Sequence, residues 1–334
     1  MFEVLTIGTA TRDTFLQSPL FKVLKDPKHL EKIGFKTGEA ECFALGSKIE
    51  IEQPTVTVGG GAANAAVTFA RQGMKTAALI RVGDDEDGRA ILGALKHEKV
   101  QPIPIIDASR GTARSSVLLT PGGERTILVY RGASGDMRPN EIPVGKLAAR
   151  WAYIAPGGIP YAIIRELVAT LKKRGTSVAM NPSHEYLSLG PDRTKELYAL
   201  LDVVTMDREE ASYLTGAPYK NDIALFKKLD QLVRGIAVMT DGPRGAKASD
   251  GKYVYTAGTF REKKLVDRTG AGDAFGSGFV AGLMQKNDIS YALRLASANA
   301  ASVVEAIGAE TAILTKKQFS EKRWKYLDLD VEPC

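Results

Sequence analysis

The chain has 334 residues, 44% apolar and 25% charged, with 33 glycines and 15 prolines. These proportions exclude a disordered, collagen-like or coiled-coil chain and allow one large or two modest domains, at roughly 150 residues each. A formal net charge of +6, from 45 basic and 39 acidic residues, is a small imbalance; the basic runs Lys172-Lys173-Arg174, Lys263-Lys264 and Lys322-Arg323-Lys325 are scattered, so nucleic-acid binding is not expected.

The first predicted strand is 3–8. It belongs to a short apolar opening without a basic region or cleavage site, and no stretch reaches about 18 uninterrupted apolar residues, so neither export nor membrane spanning is expected. Residues 9–58 are mixed in character and include the alternating run Lys48-Ile49-Glu50-Ile51-Glu52, which predicts a strand with one wet face. Gly59-Gly60-Gly61-Ala62-Ala63-Asn64 then opens a helix that stops at Gly73. Short apolar strands and helices follow at 76–82, 87–98, 152–155, 161–174, 177–180, 197–201, 203–206, 223–233 and 236–240. That repetition predicts a parallel sheet covered by helices on both faces.

Inside this series, 114–120 and 125–131 are rich in β-formers and are joined by Pro121-Gly122-Gly123-Glu124, which reads as a hairpin. Two helices, 271–285 and 291–307, rich in Ala, Gly and Ser, close the domain. The tail beyond Thr315 is charged, with Trp324, Tyr326 and Leu327 as docking anchors. No linker separates two units, so the expected organisation is one α/β domain over 1–320 and a charged tail, 321–334. A small β-lid, built from about 10–58 and 100–135, decorates the domain. Lids over clefts serve enzymes that exclude water.

The two cysteines, Cys42 and Cys334, cannot form a disulfide framework or a cysteine-rich zinc site, which makes a reducing cytoplasm the expected location. His29, His97 and His184 have no metal-ligand spacing, so neither a histidine metal centre nor a His-dependent triad is expected.

The most informative stretch is Asp267-Arg268-Thr269-Gly270-Ala271-Gly272-Asp273-Ala274-Phe275. Phe275, Phe279 and Leu283 fall four apart, so a helix begins near Gly270 with Asp273 in its first turn. Free N–H groups and the positive dipole end then face an anion, and the glycines let it approach. A carboxylate in that cradle would repel phosphate. Asp273 therefore reads either as a base taking a proton from a hydroxyl or as a helix cap, and the loop alone leaves both open. The string Gly270-x-Gly272-x-x-x-Gly276 is a poor dinucleotide fingerprint, because Arg261-Glu262-Lys263-Lys264 rather than an apolar strand precede it. No Walker P-loop string occurs. In the other glycine-rich site, Asn64 offers two donors and an acceptor suited to sugar hydroxyls, or caps its helix.

Together these stretches resemble the two signature motifs of the ribokinase-like (PfkB) family of carbohydrate and nucleoside kinases. Val82-Gly83-Asp84-Asp85 with Gly88, Gly123-Glu124-Arg125-Thr126, Thr240-Asp241-Gly242-Pro243-Arg244-Gly245 and Ala298-Asn299-Ala300-Ala301 extend the resemblance over nearly the whole chain. It implies a three-layer α/β/α sandwich with a mostly parallel central sheet and a β-lid. It also implies an enzyme that moves the γ-phosphoryl of MgATP to a hydroxymethyl group of a small sugar or sugar derivative.

By the same resemblance, Asp273 is the base and the Gly270, Ala271 and Gly272 amides the anion hole. Asp13, Gly60, Gly61 and Asn64 bind the acceptor, and Arg131 matches a position that holds a carboxylate in sugar-acid kinases. Thr240, Gly242 and Gly245 line the ATP phosphates and ribose, and Asn299 lies beside the adenine. Glu210 and Asp207 hold Mg²⁺ through water, although the family has Asn where this chain has Asp207. Asp267 matches an aspartate that binds K⁺ in some members. Asp241 stands where the family has an apolar residue. A nucleoside kinase, with Phe15, Phe21 or Phe43 forming a base pocket, is the alternative, and a noncatalytic sugar- or nucleotide-binding protein a remote one. Homodimers formed through the lid are a further implication of the resemblance.

Overall fold

The computed structural model describes residues 1–34, 38–120 and 125–334. The chain starts with β1 (Phe2–Gly8) and β2 (Thr11–Gln17), makes a side hairpin of β3 (Lys22–Lys25) and β4 (Glu39–Cys42) around the one-turn α1 (Pro27–Leu30), and returns through β5 (Thr55–Gly59) into α2 (Gly61–Arg71). Then come β6 (Thr76–Gly83), α3 (Glu86–His97), β7 (Gln101–Asp107), β8 (Arg114–Leu119), β9 (Arg125–Tyr130), β10 (Ala149–Ala155), α4 (Tyr161–Lys173), β11 (Ser177–Met180), α5 (His184–Leu187) and α6 (Gly190–Tyr198). The remainder is β12 (Val203–Asp207), α7 (Arg208–Thr215), α8 (Asp222–Leu232), β13 (Ile236–Thr240), β14 (Ala246–Ser249), β15 (Tyr253–Ala257), α9 (Ala271–Lys286), α10 (Ile289–Val303), α11 (Lys316–Phe319) and β16 (Leu329–Pro333).

Ten strands form one sheet in the order β16-β15-β14-β13-β12-β11-β10-β1-β6-β7, parallel from β13 to β7 and antiparallel from β13 to β16. The central strands are short apolar runs because both faces are covered. Ile7, Ile154, Val178 and Met206 point to a core shared with α4 to α8, whereas Val4, Tyr153, Ala179 and Val203 point to α9 and α10. Ala78, Ile80 and Val82 meet α2 and α3 on that second face. The result is the expected three-layer α/β/α sandwich.

The small sheet runs β5-β2-β8-β9, with β2 and β8 parallel and the other pairs antiparallel. Phe15, Val117 and Leu119 form its own core, and every residue of β9 is exposed.

Several segments differ from expectation. Residues 48–52 are not a strand: they run beside the end of β2 with the bonds Glu52 N to Gln17 O and Ser18 Oγ to Glu50 O, too few for a ladder, and Pro54 intervenes before β5. The 100–135 segment divides between the sheets, since β7 joins the large one and only β8 and β9 the small one. The helix expected to reach 307 ends at Val303, where the Val304 carbonyl accepts the Val266 and Asp267 N–H groups instead of continuing the ladder. Residues 321–334, read as a charged tail, lie along the domain as a further strand: β16 pairs along β15, and Trp324, named as a docking anchor, is buried. The turn at Pro121-Gly122-Gly123-Glu124 lies outside the described residues.

Candidate active site

β1 lies between β6 and β10, so the chain leaves it first to one side and then to the other. The crevice at the carboxyl ends of β1 and β10 is therefore the switch point where ligands bind in open α/β sheets. Two glycine-led helices meet there. Gly60 has φ +94°, and a Cβ on it would lie 2.7 Å from Ala10 Cα, so only glycine lets α2 start against the turn after β1. Gly270 precedes α9 with φ +78°, and a Cβ there would strike Ala309 at 2.3 Å.

No side chain caps α9; its Ala271 N–H donates to Arg268 O at 3.3 Å, and Gly270 and Gly272 at this end line the crevice. A Cβ on Gly272 would meet nothing within 4 Å, and Gly272 lines both clefts in front of the helix. Asp273 does not cap its own helix. It reaches across to α2, where Asn64 Nδ2 donates to its Oδ2 at 2.8 Å. Burial, reinforced by the nearby Asp13 charge, raises the Asp273 pKa, and the Asn64 hydrogen bond opposes the rise. With Nδ2 committed to the carboxylate, Asn64 Oδ1 is buried and has no partner among the described residues. An unpaired buried acceptor costs about 1–3 kcal/mol, which a ligand hydroxyl would relieve.

Asp13 is 6% exposed on β2, packs against Gly59, and accepts Thr11 Oγ1 at 2.8 Å. Burial raises its pKa too, helped by the Asp267 charge and opposed by Thr11, Ser115 and Arg12. Gly61 is close enough to Asp273 that a Cβ would lie 3.2 Å from Oδ1, so Asp273, Asn64, Gly60 and Gly61 form one cluster. Arg131 is paired at 3.2 Å with Glu185 of α5.

Two connected clefts open in front of α9. One, of about 500 Å³, is lined by Thr240, Gly242 and Gly245 and by Phe260, Leu265 and Ala301. The other, of about 260 Å³, holds Asp273, Gly270, Gly272, Asp207, Glu210 and Asn181; Gly272 also lines the first cleft, together with Ala271. Asp207 caps α7 by accepting the Glu210 N–H at 2.8 Å, and Glu210 Oε2 accepts the Asp207 N–H at 2.8 Å, a role that Asn would fill equally well. Burial and the charges of Asp207 and Glu209 lift the Glu210 pKa to about 7.

Asn299 is not beside the cleft. It is fully buried, donates to Ala274 O at 2.9 Å and Thr68 Oγ1 at 3.3 Å, and accepts the Leu314 N–H at 2.9 Å, so it ties α10 to α2 and α9 and has nothing left for a nucleotide. Asp241 also points away from the ligand space. Its Oδ2 accepts Arg208 Nε at 2.7 Å and Arg244 Nε at 2.9 Å, and Arg208 continues to Asp222. Although burial opposes it, the Arg244 and Arg208 contacts hold the Asp241 pKa down. Asp267, 1% exposed, accepts the Thr269 N–H and hydroxyl on Oδ1 and the Gly308 N–H on Oδ2, which fixes the loop before α9.

Sequence reasoning assigned no role to Arg125 and Arg268, which line both clefts. Both are exposed, and among the described residues neither pairs with a carboxylate. Both stand inside motifs quoted above, and the available signal was a cation beside an anion cradle.

The family model described as "pfkB family carbohydrate kinase" matches residues 27–316. A ribokinase of Haemophilus influenzae is 27% identical over 275 residues, covering 80% of this chain and 87% of that protein. A bifunctional ribokinase/ribose-5-phosphate isomerase A of Fructilactobacillus sanfranciscensis is 27% identical over 84% of this chain, which spans 53% of the length of that relative. Among solved structures, a probable sugar kinase from Rhizobium etli superposes with TM-score 0.76 at 23% identity, covering 95% of this chain and 97% of that one. An uncapped helix N-terminus, a carboxylate beside it and a sandwich with a lid thus coincide with a family match over most of the sequence: the chain belongs to the pfkB family of carbohydrate kinases.

Proposed function

We propose that the chain transfers the γ-phosphoryl group of MgATP to a hydroxymethyl group of a small, neutral sugar or sugar derivative. Asn64 carries this reading: one amide edge holds Asp273 and the other, buried and unpartnered, waits for a hydroxyl. In the reaction, the acceptor oxygen forms a bond to the γ-phosphorus while the bond to the β-phosphate oxygen breaks, and the acceptor proton passes to Asp273. The raised Asp273 pKa suits a base working against an alcohol. The Gly270, Ala271 and Gly272 amides stabilise charge on the moving phosphoryl group, and Arg125 and Arg268 add two cations to the same space.

Asp13, Gly60, Gly61 and Asn64 hold the acceptor, while Thr240, Gly242 and Gly245 line the nucleotide. Glu210 and Asp207 fit Mg²⁺ through water, because carboxylates facing a phosphate space need a cation between them. When bound, such an ion would supply positive charge to offset that of the phosphates. Asp267 has already committed both oxygens to the loop, so K⁺ would rest on its remaining lone pair and backbone carbonyls. A K⁺ titration of the rate tests this.

A neutral acceptor is the reading we start from, since Arg131, the cation a sugar acid would use, pairs with Glu185 here, although the pair is exposed and weak enough for an acid to displace. A sugar is favoured over a nucleoside because Phe15 is spent in the lid core and Phe21 packs edge-to-face on Phe43 at 5.5 Å. The test is ADP release from MgATP across pentoses, hexoses, sugar acids and nucleosides, with Asp273→Asn as the blank. Turnover on neutral sugars supports the reading, turnover on nucleosides alone replaces it, and absence of MgATP binding by calorimetry refutes it.

A further inference from the structure

The outer wall of the larger cleft has no secondary structure of its own. Residues 258–266, between β15 and the loop before α9, make neither strand nor helix, yet Thr259, Phe260, Glu262 and Leu265 face the cleft. A segment about 60 residues later in the chain holds this wall. The Gly258 N–H donates to Asp328 O at 3.0 Å, and Arg323 Nη2 donates to Arg261 O at 3.0 Å. Arg323 also forms a two-point pair with Glu305, whose Oε1 accepts the Lys263 N–H at 2.6 Å. Behind Phe260 stands Trp324, edge-on at 5.1 Å and 3% exposed, with the Arg323 guanidinium 4.1 Å from the centre of its ring. Arg294 of α10 donates to Lys325 O at 2.9 Å, and β16 pairs along β15, so the segment is itself anchored at both ends.

These contacts converge on one irregular stretch rather than spreading over the core. We propose that residues 323–333 form a strap that positions the nucleotide-cleft wall, with Trp324 and Arg323 as the positioning residues that preorganise Phe260 and its neighbours for the nucleotide. The inference rests on the reading that the larger cleft takes the nucleotide. A wall ordered before binding spares the ligand the cost of ordering it. Neither side chain contacts the reacting groups, so their effect falls on nucleotide affinity and leaves the chemical step alone.

The experiment measures MgATP affinity by calorimetry, and KM for ATP with the best acceptor of the panel above, for Trp324→Ala, Arg323→Ala and the conservative Trp324→Phe, with a thermal melt to establish folding. Both alanine variants are expected to raise the MgATP Kd and KM together by roughly tenfold, with acceptor KM and kcat at saturating ATP within about twofold of the parent, and Trp324→Phe restoring most of the loss. If Trp324→Ala does not fold, Arg323→Ala, at a partly exposed position, carries the test. Unchanged MgATP affinity in a folded variant overturns the strap, and so does a parallel loss of kcat and both KM values. Ala301→Trp, which fills the cleft, separates the two readings. If it binds MgATP like the parent, the cleft is not the nucleotide site and both fall; if it abolishes binding while the strap variants bind normally, the strap alone falls.

Discussion

The two sides of the crevice are built differently. The side carrying Asp273 is a helix N-terminus set on a sheet buried on both faces, and each of its special residues is fixed by a backbone contact or a buried hydrogen bond. The lid opposite has a small core of Phe15, Val117 and Leu119, an outer strand exposed along its length, and cations placed by surface pairs. The first construction permits one geometry, which suits the fixed chemistry proposed for it. The second tolerates many side chains, so under the proposed function it is the side free to vary with the acceptor.

The largest expected effect comes from the rigid side. Asp273→Asn should lower kcat by about 10³ while MgATP binding, followed by calorimetry, is unchanged. A carboxyl whose folded pKa is raised contributes stability below its unfolded pKa and loses it as pH rises through the folded value, so at neutral pH the ionised Asp273 is a burden on the fold. The variant should therefore melt no lower than the parent at pH 7, and a marked fall in Tm would recast Asp273 as a structural residue.

Asn64→Ala joins the two sides. The acceptor KM should rise about tenfold, from loss of the hydroxyl partner. Because the Asn64 hydrogen bond holds the Asp273 pKa down, its loss should move the acid limb of kcat/KM to higher pH, and Asp13→Asn, which removes a raising charge, should move it lower. A pH profile with the limb unmoved in both variants would detach Asp273 from proton transfer. On the cation side, Glu210→Gln should raise the Mg²⁺ concentration for half-maximal rate by about tenfold, with the acceptor KM as the unaffected control.

The rigid side was also the readable one. Gly270 and Gly272 with Phe275, Phe279 and Leu283 four apart mark a helix start, and the short apolar strands describe a sheet with two covered faces. What the sequence hid depends on partners far along the chain. The 48–52 alternation has the period of a strand but meets the end of β2 through only two bonds, whereas Leu329-Asp330-Val331-Glu332 has the same period, reads in sequence as part of a charged tail, and pairs because β15 lies beside it. Asn299 sits within a motif, yet its side chain turns inward to the Leu314 N–H and the Ala274 carbonyl. Arg208 and Asp222, which account for Asp241, become its neighbours only through the packing of β13 on α7 and α8.

The smallest effect probes the lid side, through acceptor charge. Arg131 and Glu185 are 3.2 Å apart, with 60% and 48% of their side chains exposed, so water and salt screen the pair and it is worth at most about 1 kcal/mol. Glu185→Gln removes the competing carboxylate and leaves Arg131 in place. If Arg131 faces the acceptor, kcat/KM for a sugar acid such as gluconate should rise about two- to fivefold relative to a neutral hexose. The gain should shrink as salt is raised, because an exposed cation is screened over about 10 Å at 0.1 M ionic strength. The neutral hexose provides the reference, since it has no charge for Arg131 to meet. An unchanged ratio at low salt would place Arg131 outside the acceptor site and leave the choice of acceptor to Asp13, Asn64 and the lid core.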